Sequence, residues 1–278
     1  MNTWKCSLLM IGIFVAGIIF INQSMVKAGQ KTSPYYEKGK IEIDIGEGKT
    51  GVINWETRFI AAIGMVASPS SADNPAQGKV LARRGATVDA QKNLLETIKG
   101  VRIDSETIVS DLMEVSEVTK TQVEGTLRDA EITEEKWDGE IYEVTMQVAM
   151  GTIFKIFEKS DDESPGEETG SIKKSKYTGL VVDTRGLGLS PAIFFNIYNE
   201  EGEKICGPIH PVYRVSIKDI KDINEGRIGT NPLRITAKDT TGPNGVDIVI
   251  SNKDATKVKK NVLNTDIFSK GKVIVLVD

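Results

Sequence analysis

The segment between Asn74 and Gly100 is the feature that most constrains how this chain can fold. Asn74 followed by Pro75 is typical of a helix start, because asparagine caps free N–H groups and proline fits the first helical position. Gly100 supplies a stop. Apolar residues recur on one face between these signals, with Leu81, Val88 and Leu95 close by: Ala82, Ala86, Ala90, Leu94 and Ile98. The small residues early on this face predict a long helix packed closely on a sheet.

Alternating apolar residues predict the strands of that sheet. After a polar lead over residues 30–51, one set predicts a single long strand with one face against a core: Ile53, Trp55, Phe59, Ala61, Ile63 and Met65. A brief helix is predicted over residues 111–119, followed by a bulged strand over residues 123–132. Alternation resumes over residues 142–150 after a turn that ends in Asp138-Gly139, which predicts an antiparallel hairpin.

The chain is predicted to contain two domains. Residues 158–176 include a cluster of acidic residues around Pro165-Gly166 and no periodic apolar pattern, which is typical of a linker. The linker separates residues 52–157 from residues 177–278, where short strand-like segments surround one helix that Ser251 can cap. The predicted fold class is therefore α+β, with a long helix packed on an antiparallel sheet and a β-rich C-terminal domain with one helix.

The N-terminal segment predicts export. Lys5 is followed by an uncharged apolar run of roughly 15 residues, which is shorter than the ~20 residues that a membrane-spanning helix needs. Residues 1–28 are predicted to be a signal peptide cleaved after Ala28, and an uncleaved anchor is the alternative. A lipid anchor would need a cysteine directly after the apolar run, whereas Cys6 lies before it, so no lipid anchor is expected. The predicted location is the periplasm or the outer-membrane surface.

Composition excludes several classes of function. The 35 Lys and Arg against 39 Asp and Glu give a net charge of -4, which argues against nucleic-acid binding. One histidine and two cysteines leave little for a histidine-based catalytic site or a thiolate zinc site, and we predict no cofactor, no metal and no catalytic residue. Gly186-Leu-Gly188 is interpreted as a turn, because it lacks the third glycine and the following helix of a dinucleotide site.

Cysteine and histidine are also poorly placed for catalysis. Cys206 is interpreted as a small buried apolar residue, with disulfide-linked dimerisation as the alternative. His210 lies four residues further on, between two prolines, and an extended segment of that length separates the two side chains. We therefore do not expect His210 to act as a base for Cys206.

Three residues are candidates for contact with a partner: Arg83, Arg84 and Trp137. Arg83-Arg84 lies midway along the predicted helix and is open to three interpretations, a solvated stripe, an ion pair between helix and sheet, or an anion or partner site. Trp137 lies near the predicted hairpin tip. It either forms an exposed contact or folds back on the sheet.

Residues 81–103 resemble the signature of the LPP-twenty lipoprotein family, which includes flagellar outer-membrane proteins of the FlgP type. The matching pieces are Ala82-Arg83, Asp89-Ala90, Asn93-Leu94, Ile98-x-Gly100, Val123-x-Gly125 and Gly139, so that the resemblance spans about residues 53–151. It implies a dodecin-like or strand-helix-strand-strand fold and an envelope protein that assembles through subunit contacts. The chain departs from this family in having no lipobox.

The leading functional hypothesis is a non-enzymatic, exported envelope protein that acts as a structural or assembly component, with a flagellar association implied by the resemblance. Its expected partners are further copies of itself or another envelope protein. A periplasmic module that binds a small ligand or glycan between the two domains is the alternative. An enzyme ranks third, because it would require a concave cluster of Asp and Glu with shifted pKa values.

Overall fold

A computed structural model describes residues 40–158, 175–215, 226–263 and 265–278. The predicted signal peptide and nearly all of the predicted acidic linker lie outside the described residues. The helices are α1 (Pro75–Lys99), α2 (Val109–Val115), α3 (Glu117–Gly125), α4 (Met150–Phe157) and α5 (Asn252–Asn261). The strands are β1 (Lys40–Asp44), β2 (Thr50–Asn54), β3 (Phe59–Ala67), β4 (Glu131–Trp137), β5 (Ile141–Ala149), β6 (Leu180–Asp183), β7 (Phe195–Asn199), β8 (Lys204–Ile209), β9 (Val212–Arg214), β10 (Leu233–Thr236), β11 (Asp239–Thr241), β12 (Asp247–Ile250) and β13 (Val273–Leu276).

Helix α1 forms where its end signals predict it. The Asn74 side chain accepts a hydrogen bond from the backbone N–H of Gln77 at 2.9 Å, and Gly100 closes the helix. All five residues of the predicted apolar series are fully buried. Leu81 and Val88, predicted to lie close to this face, are 39% and 65% exposed and do not belong to the core.

The predicted long strand over residues 53–65 is wrong, because a tight turn divides it into β2 and β3. The Asn54 side chain accepts hydrogen bonds from the N–H groups of Glu56 and Thr57 at 3.1 and 2.9 Å and folds the chain back. Core-facing positions are therefore odd-numbered before the turn (Ile53, Trp55) and include the even-numbered Ile60 and Ala62 after it, although the apolar residues of the sequence keep one alternation throughout. Ile63 and Met65, predicted to face the core, are 42% and 54% exposed, whereas Ile60 and Ala62 are buried.

The first sheet has five antiparallel strands in the order β1-β2-β3-β5-β4. The predicted β4–β5 hairpin is confirmed, and β4 carries a bulge between Ile132 and Glu134. Strand β1 lies within the polar lead and was not predicted, and neither was helix α4. Helix α1 packs on the central strands β3 and β5, so that one face of the sheet is covered.

The region before β4 differs from the prediction. The strand predicted from residue 123 is wrong in its first half, because Val123 is buried in α3 and residues 126–129 form a short 3₁₀ helix. Ser116 caps α3 by accepting a hydrogen bond from the Thr119 N–H at 3.1 Å. The single brief helix predicted over residues 111–119 is therefore two helices, α2 and α3, which meet at Ser116.

The C-terminal part is β-rich and contains one helix, as predicted. A parallel sheet has the order β10-β6-β13-β9, and a mixed sheet has the order β11-β12-β7-β8. Every residue of β13 is buried, as expected for a strand covered on both faces. Ser251 caps α5 by accepting a hydrogen bond from the Asp254 N–H at 3.1 Å.

The two parts of the chain share one continuous core of buried residues. The backbone N–H groups of Ile193 and Phe194 donate to the carbonyls of Arg102 and Ile103 at 3.0 and 2.8 Å. Trp55 contacts Tyr213 edge-to-face, with 5.4 Å between the ring centres. Across the described ranges, we find no helix with both the length and the apolar character needed to cross a membrane. The α+β fold class is confirmed, while the domain boundaries remain a prediction.

Candidate docking surface on helix α1

The small residues on the buried face of α1 contact the sheet beneath the helix. Gly64 of β3 lies so close to α1 that an added Cβ would overlap the backbone of Ala86 and Ala90. The fully buried Ala82, Ala86 and Ala90 allow this approach because their side chains are small. These small residues therefore set the distance between helix and sheet.

Two polar residues of α1, Asp89 and Asn93, form hydrogen bonds with one edge of strand β3. Strand β2 pairs with β3 only as far as Ala61, and no other described strand pairs with the rest of that edge of β3. There the Asp89 carboxylate accepts a hydrogen bond from the Met65 N–H at 3.0 Å. The Asn93 side-chain amide donates to the Ile63 carbonyl at 2.7 Å. Asp89 and Asn93 thus supply hydrogen bonds that a neighbouring strand would otherwise make.

Asp89 is also the centre of a small charged cluster. Lys49 Nζ lies 2.7 Å from its carboxylate. Burial would raise the pKa of Asp89, but the hydrogen bonds from Lys49, the Met65 N–H and Asn93 outweigh it and hold the pKa below its ordinary value. Asp89 is therefore a structural anion at neutral pH.

The three residues predicted to contact a partner have different environments. Arg83 forms an ion pair with Glu135 of β4, with 2.7 Å between Nε and Oε1, which matches the interpretation as a link between helix and sheet. Trp137 folds back on the sheet, and its ring centre lies 5.8 Å from that of Tyr142. Arg84 is exposed, and no carboxylate among the described residues pairs with it. Only Arg84 remains available for a partner as first envisaged.

Arg84 belongs to an exposed stripe along α1 that alternates apolar and cationic side chains at four-residue spacing. We call this stripe the α1 outer face, and its members are Val80, Arg84, Val88 and Lys92. The side chains of Val80 and Val88 are 59% and 65% exposed, and the neighbouring Leu81 is 39% exposed. Lys92, like Arg84, forms no ion pair within the described ranges. An apolar stripe with two unpaired cations fits an acidic and partly apolar partner surface.

Strand β4 is a second exposed feature with the opposite charge. It lies at one edge of the five-stranded sheet and carries three glutamates along its exposed length: Glu131, Glu134 and Glu135. Ile132 is 41% exposed between them. Glu135 forms the ion pair with Arg83. Glu134 lies 3.3 Å from the Lys136 ammonium, and Glu131 has no ion pair within the described residues. The edge is thus acidic and partly apolar.

One open cleft of about 330 Å³ lies between α3 and α4. Asp129 and Lys155 are the charged residues of its lining, and the remainder is mostly polar: Gln122, Gly125, Thr126, Thr152 and Ile156. Among the described residues, no group of three or more His, Cys, Asp or Glu side chains is placed to hold a metal ion. The cleft brings together no nucleophile and base.

Cys206, His210 and the glycines of residues 186–188 lie in environments that indicate structural roles. Cys206 is buried, and burial raises the pKa of its thiol to about 12. His210 contacts the rings of Phe154 and Phe194 at centre-to-centre distances of 4.6 and 6.0 Å. Gly186 and Gly188 lie in a turn with φ values of 77° and 64°, and the Gly186 N–H donates to the Asp278 carboxylate at 2.9 Å. The interpretation of residues 186–188 as a turn is therefore correct.

The C-terminal part has a counterpart among known families. Residues 179–278 match the family model for the second domain of Treponema pallidum Tp0624. The matched range contains every strand from β6 to β13 together with α5, and it ends before reaching α1 or the five-stranded sheet. No curated protein matches the chain.

Proposed function

We propose that this protein is a non-enzymatic, exported cell-envelope protein that acts as a structural or assembly component, associated with the flagellum as the resemblance to the LPP-twenty and FlgP-like proteins implies. The observation that carries this proposal is the α1 outer face, where two cations that pair with no described carboxylate alternate with exposed valines. A stripe of this kind is suited to docking, because apolar contacts supply affinity and the charges select the partner.

The partner that we propose is a second copy of this chain. The acidic edge strand β4 offers glutamates and the exposed Ile132, which complement the cations and valines of the α1 outer face. Two outer faces would repel each other, since both are cationic. Docking of α1 of one copy onto β4 of the next brings opposite charges together and covers an exposed strand edge.

Charge reversal tests this arrangement. Purified residues 29–278 should self-associate in analytical ultracentrifugation at low salt and dissociate as salt rises, because exposed charges are screened. The variant Arg84→Glu/Lys92→Glu should be monomeric, and so should Glu131→Lys/Glu134→Lys. Mixed together, the two variants should associate with each other, because each then supplies the charge that the other has lost.

Lys260→Glu is the matched control, since Lys260 is an exposed helical cation of α5 with no ion pair in the described part of the chain. This variant should associate like the wild type. A wild-type chain that is monomeric at every concentration in low salt would overturn the assembly proposal, and so would two reversed variants that do not recognise each other.

Export is tested separately from assembly. We propose that the chain reaches the periplasm or the outer-membrane surface after cleavage behind Ala28, and that it carries no lipid. The intact mass of the chain recovered from the envelope should equal that of residues 29–278. A mass that includes residues 1–28 would favour the anchor, and recovery only from the cytoplasm would contradict export.

A periplasmic module that binds a small ligand or glycan is the second candidate function. Half-buried polar groups at Arg58 and His210, where the two parts of the chain meet, favour it. A rise in melting temperature with one member of a metabolite panel would support it, since a ligand that binds only the folded state stabilises that state.

A further inference from the structure

Arg58 is held in an unusual backbone conformation at the turn between β2 and β3. Its φ angle is 62°, in the left-handed region that residues other than glycine seldom adopt. The Arg58 N–H donates to the Asn54 carbonyl at 2.8 Å, and the Arg58 carbonyl accepts from the Met150 N–H at 2.9 Å. The turn thus fixes the position from which the arginine side chain extends.

The Arg58 side chain is half-buried, and none of the described carboxylates forms an ion pair with it, although the charge of Glu158 acts on it. Its guanidinium carbon lies 5.2 Å from the centre of the Phe154 ring, a cation–π contact. Neither a carboxylate nor a carbonyl accepts a hydrogen bond from this guanidinium in the described ranges. Five N–H donors are therefore available beside an apolar ring.

His210, from the C-terminal part of the chain, contacts the same phenylalanine ring. The imidazole contacts Phe154 edge-to-face at 4.6 Å, and its Nδ1 lies 3.5 Å from Oε1 of Glu158. The other ring nitrogen, Nε2, is buried and has no hydrogen-bond partner among the described residues, and in the neutral tautomer that carries its proton on Nε2 it can donate to an anion. Two nitrogen-bearing side chains with unused hydrogen-bonding capacity thus flank one aromatic ring.

The electrostatic environment of this pair is positive. Burial lowers the pKa of Arg58, and the charges of Arg227 and Arg214 lower it further, while Glu158 acts in the opposite direction. Burial also lowers the pKa of His210 to about 4, with added effects from Arg58 and Arg227. Among the described residues, the charges that act on this pair are thus mostly cationic, in a chain whose net charge is -4. An anion bound here would relieve the repulsion between the arginines.

We propose that Arg58, Phe154 and His210 form a binding site for a single oxyanion group, a carboxylate or a phosphate. Arg58 supplies a planar fork of donors that matches either group in a bidentate geometry. The Phe154 ring forms an apolar wall, and Arg227 contributes long-range attraction. This proposal gives a ligand class to the second candidate function and does not depend on self-association.

The test uses inorganic phosphate and acetate as probes, with sodium chloride at matched ionic strength as the reference. At least one probe should raise the melting temperature of residues 29–278 in a saturable manner, and ³¹P line broadening should report phosphate directly. Saturation by phosphate alone would point to a phosphate-bearing ligand. Saturation by acetate alone would point to a carboxylate-bearing ligand.

Variants at position 58 give the decisive comparison. Arg58→Asn removes the guanidinium and suits a positive φ, so that the variant should fold and lose anion binding by about tenfold or more. Arg58→Lys should bind more weakly than the wild type because the fork is lost. Lys260→Gln, an exposed cation on α5, should bind as the wild type does.

Absence of saturable binding by both anions to the folded wild-type chain would overturn the proposal, as would equal binding by folded Arg58→Asn. A neutral disaccharide serves as a third probe. If it stabilised the chain while both anions did not, the oxyanion site would be excluded and the ligand-binding function would survive.

Discussion

The Asp89 carboxylate accepts a hydrogen bond from the backbone N–H of Met65, 24 positions earlier in the chain, at 3.0 Å. Four residues further along α1, Asn93 donates to the Ile63 carbonyl of the same strand. A helix side chain therefore takes the place of a strand neighbour at each of these two positions. Two polar residues of one helix thus determine how this edge of β3 ends.

Loss of the Asn93 contact should destabilise the fold. Asn93→Ala leaves the Ile63 carbonyl without its donor at a site where Asn93 itself is 3% exposed. We expect the free energy of unfolding in urea to fall by about 1–3 kcal/mol. Gln91→Ala, two positions away on the same helix, should change it by less than about 0.5 kcal/mol. Equal effects of the two substitutions would show that the contact contributes nothing.

Gly64 should not tolerate a side chain. In Gly64→Ala the new methyl group would meet the backbone of α1 at Ala86 and Ala90, which cannot move aside as a flexible side chain could. We expect a loss of about 3 kcal/mol, measured by urea unfolding. Gly125→Ala in α3 is the control, because its added methyl group meets nothing within 4 Å and alanine favours helix. That substitution should be neutral or stabilising, and a tolerated Gly64→Ala would contradict the packing described above.

Local signals made the long helix and the overall α+β class predictable. The ends of this helix are marked by local residues, Asn74 and Pro75 at its start and Gly100 at its end. Each acts on backbone groups only a few positions away, so a short stretch of sequence reveals it. The division between β2 and β3 was not predictable in the same way, because apolar alternation continues through the turn and Arg58 is an unusual residue for a positive φ. Val123 lies in a helix and is fully buried against other elements of the fold. The residues on either side of Val123 in the sequence give no information about these distant contacts.

The candidate docking surface was only partly visible in the sequence. Arg84 was identified, but the partner of Arg83 is Glu135, 52 positions away, and no sequence spacing indicates such a pair. Val88 was predicted to lie close to the buried face and Val80 was not considered, although both continue the four-residue spacing of Arg84 and Lys92. Arg58 and His210 are brought together by packing around Phe154, which only the three-dimensional fold reveals.

Stability should depend on pH through His210. Its pKa is lowered from 6.5 to about 4 in the folded chain, so that the unfolded chain binds a proton more readily between these values. The stability associated with His210 is therefore complete above about pH 6.5 and is lost as the pH falls towards 4. The loss should amount to about 2–3 kcal/mol in urea unfolding.

His210→Gln should remove this component. Carboxylates whose pKa values are lowered, such as Asp89 and Asp183, lose their contribution only as the pH falls below the ordinary range of aspartate, so the two windows can be separated. A wild type and a His210→Gln variant with parallel stability profiles between pH 7 and pH 4 would exclude the effect.

Cys206 should be unreactive in the native protein. Its thiol is buried, and its pKa is raised to about 12, so that little thiolate is present at neutral pH. In a Cys6→Ser background, a thiol reagent should modify Cys206 only after denaturant is added. Rapid labelling of the folded chain would contradict the burial, and it would revive the interpretation of Cys206 as a dimerisation cysteine.

The hydrogen bonds from Asp89 and Asn93 also limit how α1 can respond to a partner. The helix that offers Arg84 and Lys92 to the outside simultaneously satisfies the backbone of β3 on its inner side. Tilting or lifting the helix would break the hydrogen bonds of the Met65 N–H and the Ile63 carbonyl and expose an aggregation-prone strand edge to water. Recognition at this helix is consequently rigid-body in character, and the bound and free forms should superimpose throughout the first sheet.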